Sequence, residues 1–389
     1  MLESPQRIEV QKTLDVESVE RELAKLWTEP MAEQELQNDE PLMRSRVANL
    51  LIFARDEVES AVHDTICELS EFHPCRALIM ISVNRTSDSD IEMFVSAIRE
   101  TGKQLRARHV CCEEITLKAS GEFVLELPSA TLPLLVPDLP VFLWWLDTLQ
   151  LDNKVLRNLC RAADRLIIDS SDFQNSQIEL QRLSSVFGRS DYETVALTDI
   201  NWARLTSWRS LLASFYDVQK YREHLDRIDR VQIDYVPPAT RSEDIAPQAL
   251  LIAGWLASRL QWTIAAEGAA QRLAKTIRFR FRREDQVITL ELNRVERPEM
   301  KTGRLAKVEI NSGGQEGASF IVARSADALH LSTEARLKTD IYLGRVLPVR
   351  NRSTAQLLSR EMEILCADEI YEQALAAAVN MLSAIQRSA

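Results

Sequence analysis

Three short, nearly unbroken apolar runs constrain the fold of this chain more than any other feature. They lie at 47–54, at 76–83 around Ala77-Leu78-Ile79-Met80-Ile81, and at 141–146. A strand with one face in water alternates polar and apolar side chains, whereas a continuous run asks to be covered on both faces. Between the first two runs, Val58, Ala61, Val62, Thr65, Ile66 and Leu69 recur at helical spacing over 57–72, and Pro74 ends that pattern. Strand, helix and strand with covered faces predict a mostly parallel sheet layered by helices. Further strands are expected at 106–117, 165–169 and 194–197, with helices at 121–128, 152–163, 173–187 and 201–216.

The texture changes near Tyr221. A strand is predicted at 230–236, stopped by Pro237-Pro238, and a helix at 247–260 with Pro247 in its first turn. Strand-like stretches follow at 276–281, 286–292, 306–310 and 319–323. The turn-rich sequence Asn-Ser-Gly-Gly-Gln-Glu-Gly at 311–317 separates the last two. This half predicts an α+β domain, a helix on an antiparallel sheet. It ends in one long helix over 353–385, opened by a Ser353/Gln356 capping box and carrying an apolar stripe from Leu357 to Ile385. At 389 residues the chain is too long for one ordinary core. The expected division is an N-terminal helix (15–27) and polar linker (31–43) within 1–45, an α/β domain at 46–220 and a C-terminal α+β domain at 221–389.

Composition narrows the function. A formal net charge of −11 disfavours polyanions, so no nucleic-acid partner is expected. With only 10 glycines there is no G-x-G-x-x-G, no G-x-x-x-x-G-K-[ST] and no G-x-S-x-G. No nucleotide cofactor is therefore expected. The longest apolar stretch, 132–146, is broken by Pro133, Pro137, Asp138 and Pro140, which argues against a membrane span. The first residues lack a basic segment before an apolar one, and the six cysteines lack the spacing of a disulfide framework. A soluble cytoplasmic protein is the expectation.

Three groups of residues invite a functional reading. His73-Pro74-Cys75-Arg76 and His109-Val110-Cys111-Cys112 would bring histidines and cysteines together if their strands are neighbours. Zinc would suit that composition, but a strand sends Cys111 and Cys112 to opposite faces and no C-x-x-C knuckle is present. The alternatives are a Cys–His nucleophile pair, core packing of Cys75 with one of the paired thiols, or redox sensing by Cys111 or Cys112 if one is exposed and activated by a cation such as Arg108. The second group is Pro137, Asp138, Leu139 and Pro140, a rigid lead into Trp144 and Trp145. Those two rings point to opposite faces, and an exposed one would make a protein-binding hot spot; both buried is the plain alternative. The third is Asp169-Ser170 at a strand end, where open α/β sheets hold ligands, joined by His73 and Arg76 as a candidate crevice. The same Asp-Ser-Ser-Asp run is a good helix cap.

Several of these segments, in order, resemble one family. Arg46-Val47-Ala48-Asn49-Leu50, His73-Pro74-Cys75-Arg76-Ala77, Cys111-Cys112-Glu113-Glu114-Ile115, the 134–145 proline-tryptophan segment and Asp164-Arg165-Leu166-Ile167-Ile168-Asp169-Ser170 are similar to the OpcA family of glucose-6-phosphate dehydrogenase assembly proteins. The resemblance covers most of 40–385. It implies a non-catalytic partner that binds glucose-6-phosphate dehydrogenase and favours its active oligomer in the oxidative pentose phosphate pathway. It also implies a link to thioredoxin-based redox control. It does not say which residues touch the enzyme. An enzyme of sugar-phosphate metabolism and a thiol switch are the competing readings.

Overall fold

Two sheets of opposite character organise the chain. The computed structural model describes residues 7–10, 16–28, 47–84, 91–99, 111–186, 192, 194–241, 243–265, 269–313, 317–337, 340–349, 352–364 and 366–388. The expected linker at 31–43, and Arg108 and His109, lie outside them. Two compact units are built from interleaved stretches: Met1–Ile168, Gly188–Thr198 and Arg352–Ala367 form one, and Asp169–Phe187, Asp199–Asn351 and Asp368–Ala389 form the other.

The first unit holds strands β1 (Arg7–Val10), β2 (Ala48–Arg55), β3 (Cys75–Ser82), β4 (Glu92–Arg99), β5 (Cys111–Ala119), β6 (Val141–Trp145), β7 (Arg165–Ile168) and β8 (Ala196–Asp199). They form one sheet in the order β1-β4-β5-β3-β2-β6-β7-β8. The run β5-β3-β2-β6-β7 is parallel, and β4 and β1 add on antiparallel. The continuous apolar runs take the inner positions. Ala48 to Ala54 of β2 are all buried, and so are Cys75 to Ile81 of β3. Each large aliphatic side chain hidden in this way contributes about 1.5–3 kcal/mol. The helices within residues 1–168 of this unit include α1 (Val16–Thr28), α2 (Glu59–Ser70), α3 (Leu127–Thr131) and α4 (Lys154–Cys160), the last capped by Asn153.

The second unit carries helices α5 (Ser176–Ser184), α6 (Ile200–Arg204), α7 (Thr206–Phe215), α8 (Gln219–Leu225) and α9 (Pro247–Arg259). Its strands are β9 (Ile228–Tyr235), β10 (Thr263–Ile264), β11 (Ala270–Arg272), β12 (Thr276–Arg283), β13 (Gln286–Arg294), β14 (Leu305–Ser312), β15 (Ala318–Arg324), β16 (His330–Leu337) and β17 (Asp340–Pro348). The order is β10-β12-β13-β9-β14-β15-β16-β17, with β11 also on β12. Among the described residues, β13 and β9 are the one parallel pair of this sheet. Here the strands alternate. Ile277, Phe279 and Phe281 of β12 are buried while Arg280 and Arg282 are exposed, so a single face is covered. On that face Phe320 meets Phe215, Tyr216 and Tyr221, with ring centroids 5.3 Å apart in each pair.

The single helix expected over 353–385 is two helices, α10 (Thr354–Met362) and α11 (Glu369–Ser388). The expected cap is present, because Gln356 N donates to Ser353 Oγ at 3.2 Å. The break comes from a second cap: Asp368 Oδ1 accepts from Tyr371 N at 2.9 Å and starts α11 afresh. The two helices belong to different units. α11 crosses α9 at Gly254, where any Cβ would stand 2.1 Å from the Ala374 carbonyl oxygen, so only glycine permits the approach. Among the described residues no helix is long and apolar enough to cross a membrane.

Candidate functional sites

The paired-cysteine strand lies where the spacing suggested, beside β3, but its chemistry differs from the expectation. Arg76 pairs with Glu113 in the β3–β5 register, which brings the preceding residues Cys75 and Cys112 together. Their sulfurs are 3.5 Å apart, and Cys75 N donates to Cys112 Sγ at 3.3 Å. Both side chains are fully buried free thiols. The hydrogen bond to Cys112, then burial, push the Cys75 thiol well above its ordinary range. Cys112 is therefore not the exposed, cation-activated thiol the redox reading required, because an inner strand gives it no water. The side chain of Cys111 lies outside the described residues. His73 is half-buried, and burial lowers its pKa. No group of three or more potential metal-ligating side chains occurs among the described residues.

Arg76 is a structural cation. It is 2% exposed. Its Nε donates to Glu113 Oε2 at 2.8 Å, and its Nη1 donates to Glu20 Oε1 at 2.7 Å and to the Leu134 carbonyl at 2.9 Å. One guanidinium thus ties α1, β5 and the proline-rich segment together. Of the candidate crevice residues, His73 and Arg76 belong to one compact unit, and Asp169 and Ser170 to the other. His73 and Arg76 sit at the start of β3, Asp169 follows the end of β7, and these strands run the same way.

The proline-spaced segment approaches β6 as a rigid lead. Asn49 clamps it by donating Nδ2 to the Val136 carbonyl at 2.9 Å and accepting Val136 N at 2.8 Å. Pro137 and Asp138 are exposed, Leu139 and Pro140 half-buried, and Asp138 takes a φ of 63°. Neither tryptophan is available as an exposed hot spot: Trp144 and Trp145 are each 3% exposed. All five residues of β6 are buried, so side chains on both of its faces are covered. Trp145 stacks on Phe53 at 4.4 Å between ring centroids.

Asp169 and Ser170 belong to a polar knot that sequence reasoning found only in part. Asp169 caps its own turn through Ser171 N at 3.0 Å, and Arg204 grips it with both terminal nitrogens at 2.7 Å. Burial pushes the Asp169 carboxyl upward, yet Arg204 and Ser171 together hold it below the usual range. Beside it, Asp199 Oδ1 accepts from Ser170 N at 3.0 Å and from Asn201 N at 2.8 Å. Burial, then the charge of Asp169, push Asp199 up to about 7. Gln248 Nε2 donates to Asn201 Oδ1 at 2.8 Å, and Asn201 Nδ2 to Ser170 Oγ at 3.1 Å. Burial and the nearby Arg204 lower Arg304 to about 10. Asp199 and Asn201 carry a weak sequence signal, an Asp-Ile-Asn cap after a strand. Arg204, Gln248 and Arg304 carry none, because they arrive from separate elements. The knot can hold a proton at Asp199, but its carboxylates are turned onto the protein's own donors, and it reads as a joint that fixes α6 and α9.

Two consecutive family models match the chain: the glucose-6-phosphate dehydrogenase subunit N-terminal domain over residues 67–185, and the C-terminal domain of the same subunit over 195–375. Both domains of one subunit, in order, account for most of the sequence, and the chain belongs to the OpcA family. The OxPP cycle protein OpcA of Nostoc punctiforme is 28% identical over 319 residues, covering 81% of this chain and 66% of its own length. That of Synechocystis is 26% identical over 339 residues, covering 86% and 68%. The chain thus spans about two thirds of the length of the curated relatives it matches. Among solved structures, a levoglucosan dehydrogenase in complex with NADH and L-sorbose overlaps with a TM-score of 0.46 at 10% identity, covering 87% of this chain and 98% of the other. The oxidoreductase yvaA of Bacillus subtilis gives 0.48 at 10% identity, covering 88% and 97%. Overlaps this loose carry no implication for chemistry.

Proposed function

We propose that the chain is a non-catalytic partner of glucose-6-phosphate dehydrogenase that binds the enzyme and favours its active oligomer. The observation that carries this reading is the consecutive match of both dehydrogenase-subunit domains across residues 67–375. A protein that binds one assembly state better than another shifts the equilibrium by its differential affinity, and needs a surface rather than a nucleophile. The Asp169–Arg204 pair and the buried Asp199 fit this role, since their oxygens are already satisfied within the chain. The exposed Pro137-Asp138 corner, held rigid by Asn49, is one candidate contact. The test is to add purified chain in stoichiometric amounts to glucose-6-phosphate dehydrogenase from the same cell. Co-elution on a sizing column, with a rise in dehydrogenase activity or in apparent substrate affinity, is the expected result. Separate elution with unchanged kinetics would refute the reading.

A further inference from the structure

The face of the nine-stranded sheet that carries the exposed Arg230, Arg280 and Arg336 ends in an apolar strip built by a register shift. β17 is the last strand of its sheet and is exposed along its whole length. In a regular strand, Ile341 and Leu343 share a face and Val346 takes the other. Here the register slips: Ile341 stands opposite Arg336 and Leu343 opposite Glu334, but Val346 stands opposite Ser332. Arg336, Glu334 and Ser332 alternate with the buried Ala335 and Thr333. The extra residue therefore turns Val346 onto the same uncovered face as Ile341 and Leu343. The three side chains are 64%, 62% and 82% exposed. Tyr342 lies on the opposite face, where Lys220 of α8 sits 3.8 Å from its ring centroid.

The bulge is locked in place. Thr333 Oγ1 accepts from Arg345 N at 2.7 Å, and a Cβ on Gly344 would come within 2.2 Å of that same oxygen. Edge strands ordinarily defend themselves with charge or proline, because an exposed apolar edge invites aggregation. A bulge that gathers three large apolar groups on one exposed face does the opposite.

The rest of that face is mostly polar, with Ile321, Ala323 and Val287 among it, and its charges fall in rows. Directly across the strands run Arg280, Thr289, Arg230, Asn311, Ser319, Arg336 and then Ile341. Arg230, Arg280 and Arg336 are exposed. Arg336 pairs with Glu334. The neighbouring row is acidic but internally engaged, for Glu291 takes Arg278 at 2.9 Å and Glu309 takes Lys307 at 3.1 Å. A basic row ending in an apolar strip, on a chain of net charge −11, is complementary to a protein surface that sets carboxylates beside an apolar edge. The acidic row alongside disfavours a nucleic-acid backbone.

We propose that this uncovered sheet face is the docking surface for the protein partner, with Ile341, Leu343 and Val346 as its apolar anchor and Arg230 and Arg280 as its steering charges. The inference rests on the partnership proposed above, with glucose-6-phosphate dehydrogenase as the occupant. The test measures the affinity of that enzyme for wild-type chain, Leu343→Asp, and the double variant Arg230→Glu/Arg280→Glu. Melting temperature and the solution mass of each chain alone are measured alongside. Leu343→Asp is expected to weaken the complex at least tenfold with an unchanged melting temperature. The double arginine variant is expected to weaken it and to flatten its salt dependence. Gly344→Val, which displaces Thr333, should weaken it as well without touching an anchor. A wild-type complex that survives Leu343→Asp at full affinity would overturn the docking surface alone. A free chain that is dimeric as wild type and monomeric as Leu343→Asp would overturn it in favour of a second copy. Failure of the wild-type chain to bind the dehydrogenase at all would sink the partnership, and this surface with it.

Discussion

Strand β2 hides seven consecutive residues, Ala48 through Ala54, whereas β12 hides Ile277, Phe279 and Phe281 and leaves Arg280 and Arg282 in water. The first strand lies inside a parallel sheet covered on both faces; the second lies in an antiparallel sheet covered on one. The difference decides where each unit can meet another molecule. The inner strands of the eight-stranded sheet are buried, and its exposed residues include the Pro137-Asp138 corner. The nine-stranded sheet offers a whole face. Polar groups follow the same division. Charges inside the first sheet, such as Arg76 with Glu113, are locked and structural, while Arg230, Arg280 and Arg282 of the second are exposed.

That contrast can be broken by substitution, and the largest effects belong to the closed sheet. Arg76→Ala removes the cation that Glu113 faces at 2.8 Å in the interior, and about 3–5 kcal/mol of stability should be lost, read as a fall in the urea midpoint. A double change to Arg76→Met with Glu113→Leu should recover most of it, since the paired charges owe their place to one another. Trp145→Ala removes the ring stacked on Phe53 and should cost about 3 kcal/mol or more by the same measurement. Trp144→Ala should be comparable. Were either tryptophan variant to melt normally and yet lose its partner, β6 would not be a closed inner strand.

A pH effect of intermediate size belongs to the polar knot. Asp199 has a folded pKa of about 7 against an ordinary value of 3.8. Below pH 3.8 it is neutral in folded and unfolded chains alike. Between 3.8 and 7 the folded chain keeps a proton the unfolded chain has released, so this contribution to stability is lost as pH rises, by at most about 1.4 kcal/mol per pH unit. Asp169, held low, acts with the opposite sign and weakens the fold as pH falls. Asp199→Asn retains an acceptor for Ser170 N and Asn201 N and should flatten the slope over pH 4–7. An unchanged slope would place the proton elsewhere. The smallest effect is expected on the open sheet. Arg280→Ser should change stability by no more than about 0.5 kcal/mol, because its side chain is exposed and has no ion-pair partner among the described residues. A large loss there would mean that the face is part of a core.

Much of this architecture was legible in the chain, for identifiable reasons. The runs at 47–54 and 76–83 became β2 and β3 within a residue, since continuous apolar sequence has few other places to go. The strand-like stretch at 276–281 became most of β12, Thr276–Arg283. β17 was missed because none of its residues is buried, so no period could advertise it. The break between α10 and α11 was missed because the apolar stripe runs on through it, while Asp368, a single cap, makes the interruption. Of the candidate sites, Asp169 and Ser170 were visible as a strand-end cap, but Arg204, Asn201 and Gln248 were not, because nothing local marks a residue that will meet a distant one.

The sequence by itself determined which segments must be hidden and on how many faces, because the period of apolar residues is a property of the chain alone. From that follow the parallel sheet, the antiparallel sheet and the exclusion of a membrane span at 132–146. Only the tertiary structure decided which strands stand inside and which at an edge, and so that Trp144 and Trp145 are closed off while Leu343 is open. Neighbours fix exposure, and strand order depends on pairings between residues far apart in the chain.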